Sequence, residues 1–187
     1  MQGTDNGFFG VLDRESGELL SAEKFTIVTW ADRVDMATGR PVVNEALSYK
    51  DSPKIIWPSV SGGHNWQPMA YNEETKLVYI PVLEGPMKYV GYDGVEYLPD
   101  SLNEGKGPPL MPPFEDSDAP LLEGQPKPVE HSLLKAWDPV TQKAVWASEP
   151  QTWWSGGVLS TAGGLIFQGA VDGSFTAYDA KTGKVLK

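Results

Sequence analysis

The 187 residues carry a formal net charge of −10 and no cysteine. The acidity argues against nucleic acid and anionic membrane surfaces as partners, since both demand basic patches. The missing thiols exclude a disulfide framework, a thiolate metal site and covalent haem attachment. At 40% hydrophobic residues, with seven Trp, 20 Gly and 16 Pro, the composition points to many short strands joined by tight turns. No apolar run is long enough to span a membrane. The opening MQGTDNGFF has neither the charged nor the apolar region of a signal peptide.

In chain order, Asp5-Asn6-Gly7 is a hairpin turn and residues 8–12 a strand, so the chain opens almost inside a sheet. Residues 7–24 read as strand, glycine-closed turn and strand. Residues 26–30 (TIVTW) read as a strand, 37–41 as a turn, and 54–57 as a strand ended by Pro58. A third hairpin-like unit joins the run ending at Tyr71, the polar turn 72–76 and the run 77–82. Between Glu84 and His131 this pattern fails. That stretch holds more than half of the prolines, and long connections of this kind are functional or loosely ordered. It reads as an ordered excursion, because Tyr89, Tyr92, Tyr97, Leu110, Met111 and Phe114 give it something to bury.

Beyond the excursion, short apolar runs alternate with Asp-Gly and Thr-Gly turns, where glycine takes positive φ without steric cost. From Val158 to the last residue this predicts four antiparallel strands in a meander. Such a sheet has too little apolar surface to stand alone and must stack on others, as one blade of a β-propeller does. A repeat supports this. Ala136-Trp137-Asp138 through Trp146 can be laid on Ala177-Tyr178-Asp179 through Lys187, and a weaker copy sits at residues 11–17. The last strand has barely begun at Lys187, so both ends are expected to be cuts through a longer protein.

These units resemble the PQQ-dependent (quinoprotein) alcohol dehydrogenases, the methanol/ethanol dehydrogenase family. Four segments carry the likeness: residues 6–14 (NGFFGVLDR), 62–70 (GGHNWQPMA), 136–146, and 153–183 starting WWSGG. The likeness covers nearly the whole chain. The A-x-D-x-x-x-G-x-x-x-W repeat looks like the family's tryptophan-docking motif, with Gln142 in place of the glycine and Lys187 in place of the final Trp. The resemblance implies an all-β fold and an eight-bladed propeller with PQQ and Ca²⁺ on its axis. The chain, 1–187, would form a partial propeller domain of about three four-stranded antiparallel blades, interrupted by the proline-rich excursion at about 84–131.

The resemblance places Asn65 and Trp66 in the segment that reaches the quinone, and an amide and an indole N–H suit a polar cofactor. Read from the residues alone, Asn65 caps a turn and Trp66 is a buried blade tryptophan. Asp5 stands where relatives commonly carry a Lys that contacts the quinone oxygens, and a carboxylate there repels an anion. Ser155 stands where many relatives have Asn. The family's catalytic Asp and Ca²⁺ ligands belong to segments upstream, so no catalytic or metal-ligating residue is expected here. Glu115-Asp116-Ser117-Asp118 lacks the glycine and terminal Glu of a calcium loop. His64 and His131 lack triad or zinc partners at motif spacing.

The resemblance implies part of a periplasmic dehydrogenase that oxidises primary alcohols and passes electrons to a cytochrome c or haem domain. Its partners would include the remaining blades, and the chain alone would be inactive. The alternative is a non-catalytic quinoprotein-like propeller that serves as a scaffold for protein partners.

Overall fold

The structure, a computed structural model, describes residues 1–91, 97, 99–100 and 119–187. The first strands, β1 (Gln2–Gly3), β2 (Phe8–Leu12) and β3 (Leu19–Lys24), form one sheet in that order. A hairpin of β4 (Ala31–Asp35) and β5 (Arg40–Val43) follows, then a 3-10 turn at Glu45–Leu47. Next come β6 (Lys54–Ile56), β7 (Ala70–Tyr71), β8 (Val78–Glu84) and β9 (Met87–Tyr89), then β10 (His131–Asp138) and β11 (Lys143–Ala147). Strand β6 pairs with β9, while the other four make a sheet ordered β11-β10-β8-β7. The last sheet is β12 (Val158–Ser160), β13 (Leu165–Gly169) and β14 (Phe175–Asp179). Every ladder is antiparallel.

The four-stranded sheet is central because both of its faces are apolar. Successive strand residues point to opposite sides, so β8 serves two cores at once. Val78, Ile80 and Val82, with Leu133 and Trp137 of β10, pack on Phe9 and Phe25 of the first sheet's side. Tyr79, with Leu134 and Ala136, packs on Val158, Ile166 and Tyr178 of the last sheet. That is why Val78–Glu84 reads as a nearly continuous apolar run instead of alternating with polar residues. An ion pair enters this layer. Lys135 Nζ donates to the Phe25 carbonyl at 2.7 Å and lies 3.6 Å from Glu84 Oε1. Burial pushes the Lys135 ammonium down, and Glu84 opposes that shift.

Five turns share one build: Asp13–Gly17, Asp35–Gly39, Asn72–Lys76, Asp138–Gln142 and Asp179–Gly183. In each, the fifth residue has positive φ and its N–H donates to the first residue's carbonyl, at 2.8–2.9 Å. The first side chain accepts from the backbone N–H groups two and three residues on. In the four Asp turns the Ser or Thr hydroxyl at the fourth position donates to the carboxylate as well. Donation from Ser16 and Thr38, backbone first, holds the Asp13 and Asp35 carboxyls below the usual value of 3.8. The stability these groups lend is complete above that value and is lost as pH falls through the lowered ones.

The docking repeat works at two junctions, in opposite senses. Trp146 of β11 lies by Tyr79 of its own sheet, with ring centroids 5.8 Å apart, and reaches Tyr178 of the last sheet at 6.1 Å. Its indole N–H donates to the Ala180 carbonyl at 3.0 Å. Its ring fills the space a side chain at Gly183 would need, since an added Cβ would stand 2.6 Å from it. At the preceding junction the sizes are exchanged. The position equivalent to Trp146 is Ser21, and the position equivalent to Gly183 is Gln142. Gln142 Nε2 donates to Ser21 Oγ at 2.7 Å, and its Oε1 accepts from Trp137 Nε1 at 3.3 Å. A large residue in the turn replaces a large residue on the strand, and Gln142 fills that place at a φ of 54°, as Lys76 does at 60° in the equivalent turn.

Several expectations need correction. Residues 26–30 form no strand, because their backbone bonds go to separate loops (Thr29 N to Trp57 O, Asn44 N to Trp30 O) and β4 starts only at Ala31. The C-terminal meander has three full strands, and the expected fourth is a short segment, residues 184–187, that pairs with β14 through the Tyr178–Val185 bridge and the bonds Ala177 N to Lys187 O and Leu186 N to Ala177 O, both 2.8 Å. Only one sheet among the described residues is four-stranded. Trp146 is buried over most of its surface, as expected, but not completely. In the proline-rich stretch, β9 pairs with β6 and His131 pairs with Glu84. Tyr92, Leu110, Met111, Phe114 and the acidic run 115–118 lie outside the described residues.

Trp146→Ala should lower the unfolding free energy in urea by about 2–3 kcal/mol, below the ~3–5 of a fully packed tryptophan. At the exchanged junction, Ser21→Trp and Gln142→Gly should each destabilise. The double variant should recover about 1–3 kcal/mol relative to the sum of the two. Additive losses would show that the two positions do not exchange volume.

Candidate cofactor face

Three loops meet on one face. The first, residues 4–7, is held by Asn6, whose Oδ1 accepts from the Phe8 N–H at 2.9 Å and from the Thr4 hydroxyl. It is clamped to the second loop, 61–67, by Gly63 N donating to Asp5 O at 2.8 Å. Gly62, at φ 76°, leaves no room for a side chain, since an added Cβ would stand 2.6 Å from that of Asp5. The third loop, 153–157, joins the second where Val158 N donates to Pro68 O at 3.0 Å and Gly157 meets the Pro68 ring. Gly156 N donates to Gly169 O at 2.7 Å, which ties in the 169–171 turn.

The face carries two adjoining hollows. One, about 380 Å³, is lined by Gln2, Gly3, Thr4, Asp5, His64 and Asn65. The other, about 330 Å³, lies between Trp66, Trp154, Ser155 and the 169–171 turn. Trp154 takes a φ of 68°, which is costly for a bulky residue and turns the chain at the hollow's edge. Ser155 is buried, and Gln168 Nε2 donates to its hydroxyl at 3.2 Å and to the Gly156 carbonyl at 3.0 Å.

The two predicted site residues differ in what they have to offer. Asn65 is exposed, yet its amide serves the loop: Nδ2 donates to Ser61 O at 2.8 Å and Oδ1 accepts from Trp66 N at 2.9 Å. The turn-capping reading of Asn65 therefore holds. Trp66 is 71% exposed and is not the buried blade tryptophan that its residue type suggests. Among the described residues its indole N–H has no hydrogen-bond partner, so the rim carries a flat apolar surface with a donor. Two neighbours stand beside them: His64, which the sequence showed only as lacking triad or zinc partners, and Gln67, which sequence reasoning passed over. His64 is buried, its Nδ1–H donates to the Pro81 carbonyl at 2.8 Å, and burial pushes its imidazolium down, so it is neutral. Gln67 is fully buried, and neither side-chain polar atom has a partner among the described residues. Only its place in the 62–70 segment could have flagged it.

Among the described residues no three His, Asp or Glu side chains converge on a point that could hold a metal ion. No helix among them is long and apolar enough to cross a membrane. Trp66→Ala should leave the unfolding free energy within about 0.5 kcal/mol of wild type. Asn65→Ala should cost about 1 kcal/mol through the lost loop bonds. Equal effects in thermal unfolding would contradict this division of roles.

No protein-family model matches the chain. Its full length is 46% identical to a quarter of the quinohemoprotein alcohol dehydrogenase ADH IIB of Pseudomonas putida. Among solved structures, the ADHIIG quinohemoprotein alcohol dehydrogenase of Pseudomonas putida HK5 superposes with a TM-score of 0.83 at 37% identity, over the whole chain and 27% of its own. The Comamonas testosteroni quinohemoprotein alcohol dehydrogenase gives 0.82 at 35%, over 98% of this chain and 27% of its own. The chain thus spans about a quarter of the length of the relatives it matches, and its stacked sheets are part of their propeller. Likeness in sequence and fold along the whole chain, with the docking tryptophan and the loop-built face in place, makes it a member of the quinoprotein alcohol dehydrogenase family.

Proposed function

We propose that this chain forms part of a PQQ- and calcium-dependent dehydrogenase that oxidises primary alcohols and passes electrons to a cytochrome c or haem domain in the periplasm. The observation that carries this reading is the 46% identity over the entire chain to an alcohol dehydrogenase of this kind. The chain would act as one partial propeller domain, 1–187, with residues from about 84 to 131 leaving the blades.

The face fits a flat, polar quinone on one side only. The exposed Trp66 offers a ring to stack on, and the unpaired buried amide of Gln67 lies next to it in sequence. Asn65 keeps one amide hydrogen beyond its bond to Ser61. Asp5 does not fit: it puts a carboxylate beside a neutral His64, and no residue lining either hollow is a cation. At close range that carboxylate opposes an anionic ligand by about 1 kcal/mol or more, depending on how far water is excluded. When bound, the quinone would accept the reducing equivalents of the alcohol. What this chain would supply is position: a stacking surface at Trp66, a hydrogen-bonding edge at Asn65 and a neutral imidazole that excludes water. The base and the Ca²⁺ ligands would come from elsewhere in the protein, so the 187 residues alone would be inactive.

Asp5 also favours a second reading, in which the propeller is a non-catalytic scaffold that presents its loops to a protein partner. Assaying the intact protein with PQQ, Ca²⁺ and an artificial electron acceptor separates the two. Oxidation of a primary alcohol is expected, and Asp5→Lys should tighten quinone binding about tenfold. Loss of all turnover, with the Asp5→Lys variant equally inert, would leave the scaffold. Turnover by the isolated 187 residues would contradict the division of labour proposed here.

A further inference from the structure

A third hollow, about 350 Å³, shares Asp5 with the first but is otherwise lined by different residues, among them Trp30, Tyr49, Pro58, Val60 and Tyr89. Three aromatic residues from three separate segments line it together with the acidic Asp5, and none of the described lining residues is a cation. The rings are fixed. Trp30 stands edge-on to Phe8, with centroids 6.1 Å apart at 89°. Its indole N–H is spent on the Asn6 carbonyl at 3.0 Å, so it offers the hollow π-electron density and not a donor. Tyr49 and Tyr89 lie 5.3 Å apart and are tilted by 36°. The Gly91 N–H donates to the Tyr49 carbonyl at 3.0 Å, and Tyr89 is laddered to Lys54. Burial, helped by Tyr49, pushes the Tyr89 phenol up to about 12, so that ring stays uncharged at neutral pH. The Asp5 backbone is pinned by Gly62 and Gly63.

We propose that this hollow binds a small quaternary ammonium ion. The negative faces of converging aromatic rings attract a cation that cannot form hydrogen bonds, and a carboxylate at the rim adds direct charge complementarity. An anion is repelled by both elements. A primary ammonium or a metal ion would find acceptors only on the Asp5, Asn6 and Ser59 side and would gain least from the three rings, whereas a methylated cation uses the rings and needs no hydrogen bond. The volume admits a trimethylammonium group with a short tail and excludes a peptide. This inference is independent of alcohol oxidation, since it concerns binding and draws on Trp30, Tyr49 and Tyr89, which line neither hollow of the cofactor face.

The test is calorimetric titration of the intact protein with choline and with 3,3-dimethylbutan-1-ol, which has the same shape without the charge. Choline should bind saturably, at least tenfold more tightly than the neutral isostere. Tyr49→Leu and Asp5→Asn should each weaken it at least fivefold. Both residues are exposed, so unchanged melting temperatures are expected to show that the variants fold. Equal binding of the two probes, no saturable choline binding, or choline affinity indifferent to both substitutions would overturn the proposal.

Discussion

The constraint on which the molecule depends is that β8 and β10 are buried on both faces. A sheet that is apolar on two sides cannot end at water, so it forces a neighbour onto each side. Phe9 and Phe25 answer from one side, and Val158, Ile166 and Tyr178 from the other. Burying a side chain of this size contributes about 1.5–3 kcal/mol, so two cores sharing one sheet dominate the stability. The face built from loops 4–7, 61–67 and 153–157 inherits its position from this stacking. Those loops come from the three sheets that the central pair holds in line.

The junctions show how a repeat can keep its geometry while its residues change. Trp146 over Gly183 and Ser21 against Gln142 fill the same space with the bulk on opposite partners. Volume-conserving exchanges are tolerated in packed interiors, whereas a tryptophan facing Gln142 would overfill the site. Read one copy at a time, Gln142 is only a departure from the motif. Read as a pair across two sheets, it is its complement.

This marks the limit of what the sequence made legible. Short strands, Asp-turn-Thr hairpins and the stacking of blades are local patterns, and they are visible in spacing and in turn chemistry. The false strand at residues 26–30 has the right composition, but Thr26 and Val28 are drawn out of any ladder to close over Gly63 and Gly7. Tertiary contact overrode propensity there. At the face, the turn-capping role of Asn65 was legible because its partners lie within four residues. The exposure of Trp66 was not, because tryptophan is usually buried and only the assembled loops show otherwise. The aromatic hollow beside Asp5 was invisible for the same reason: its members are distant in the chain, and no spacing rule connects them.

Hydrogen exchange on the intact protein tests the doubly buried pair most directly. Amides of Leu83 and of residues in the paired stretches Val78–Ile80 and Lys135–Trp137 should be the slowest in the chain. Those of β3 and β14 should exchange sooner, as edges that open without unmaking both cores. If β8 and β10 exchange as fast as these edges, or if protection peaks in the last sheet alone, then the central pair does not hold the stack together.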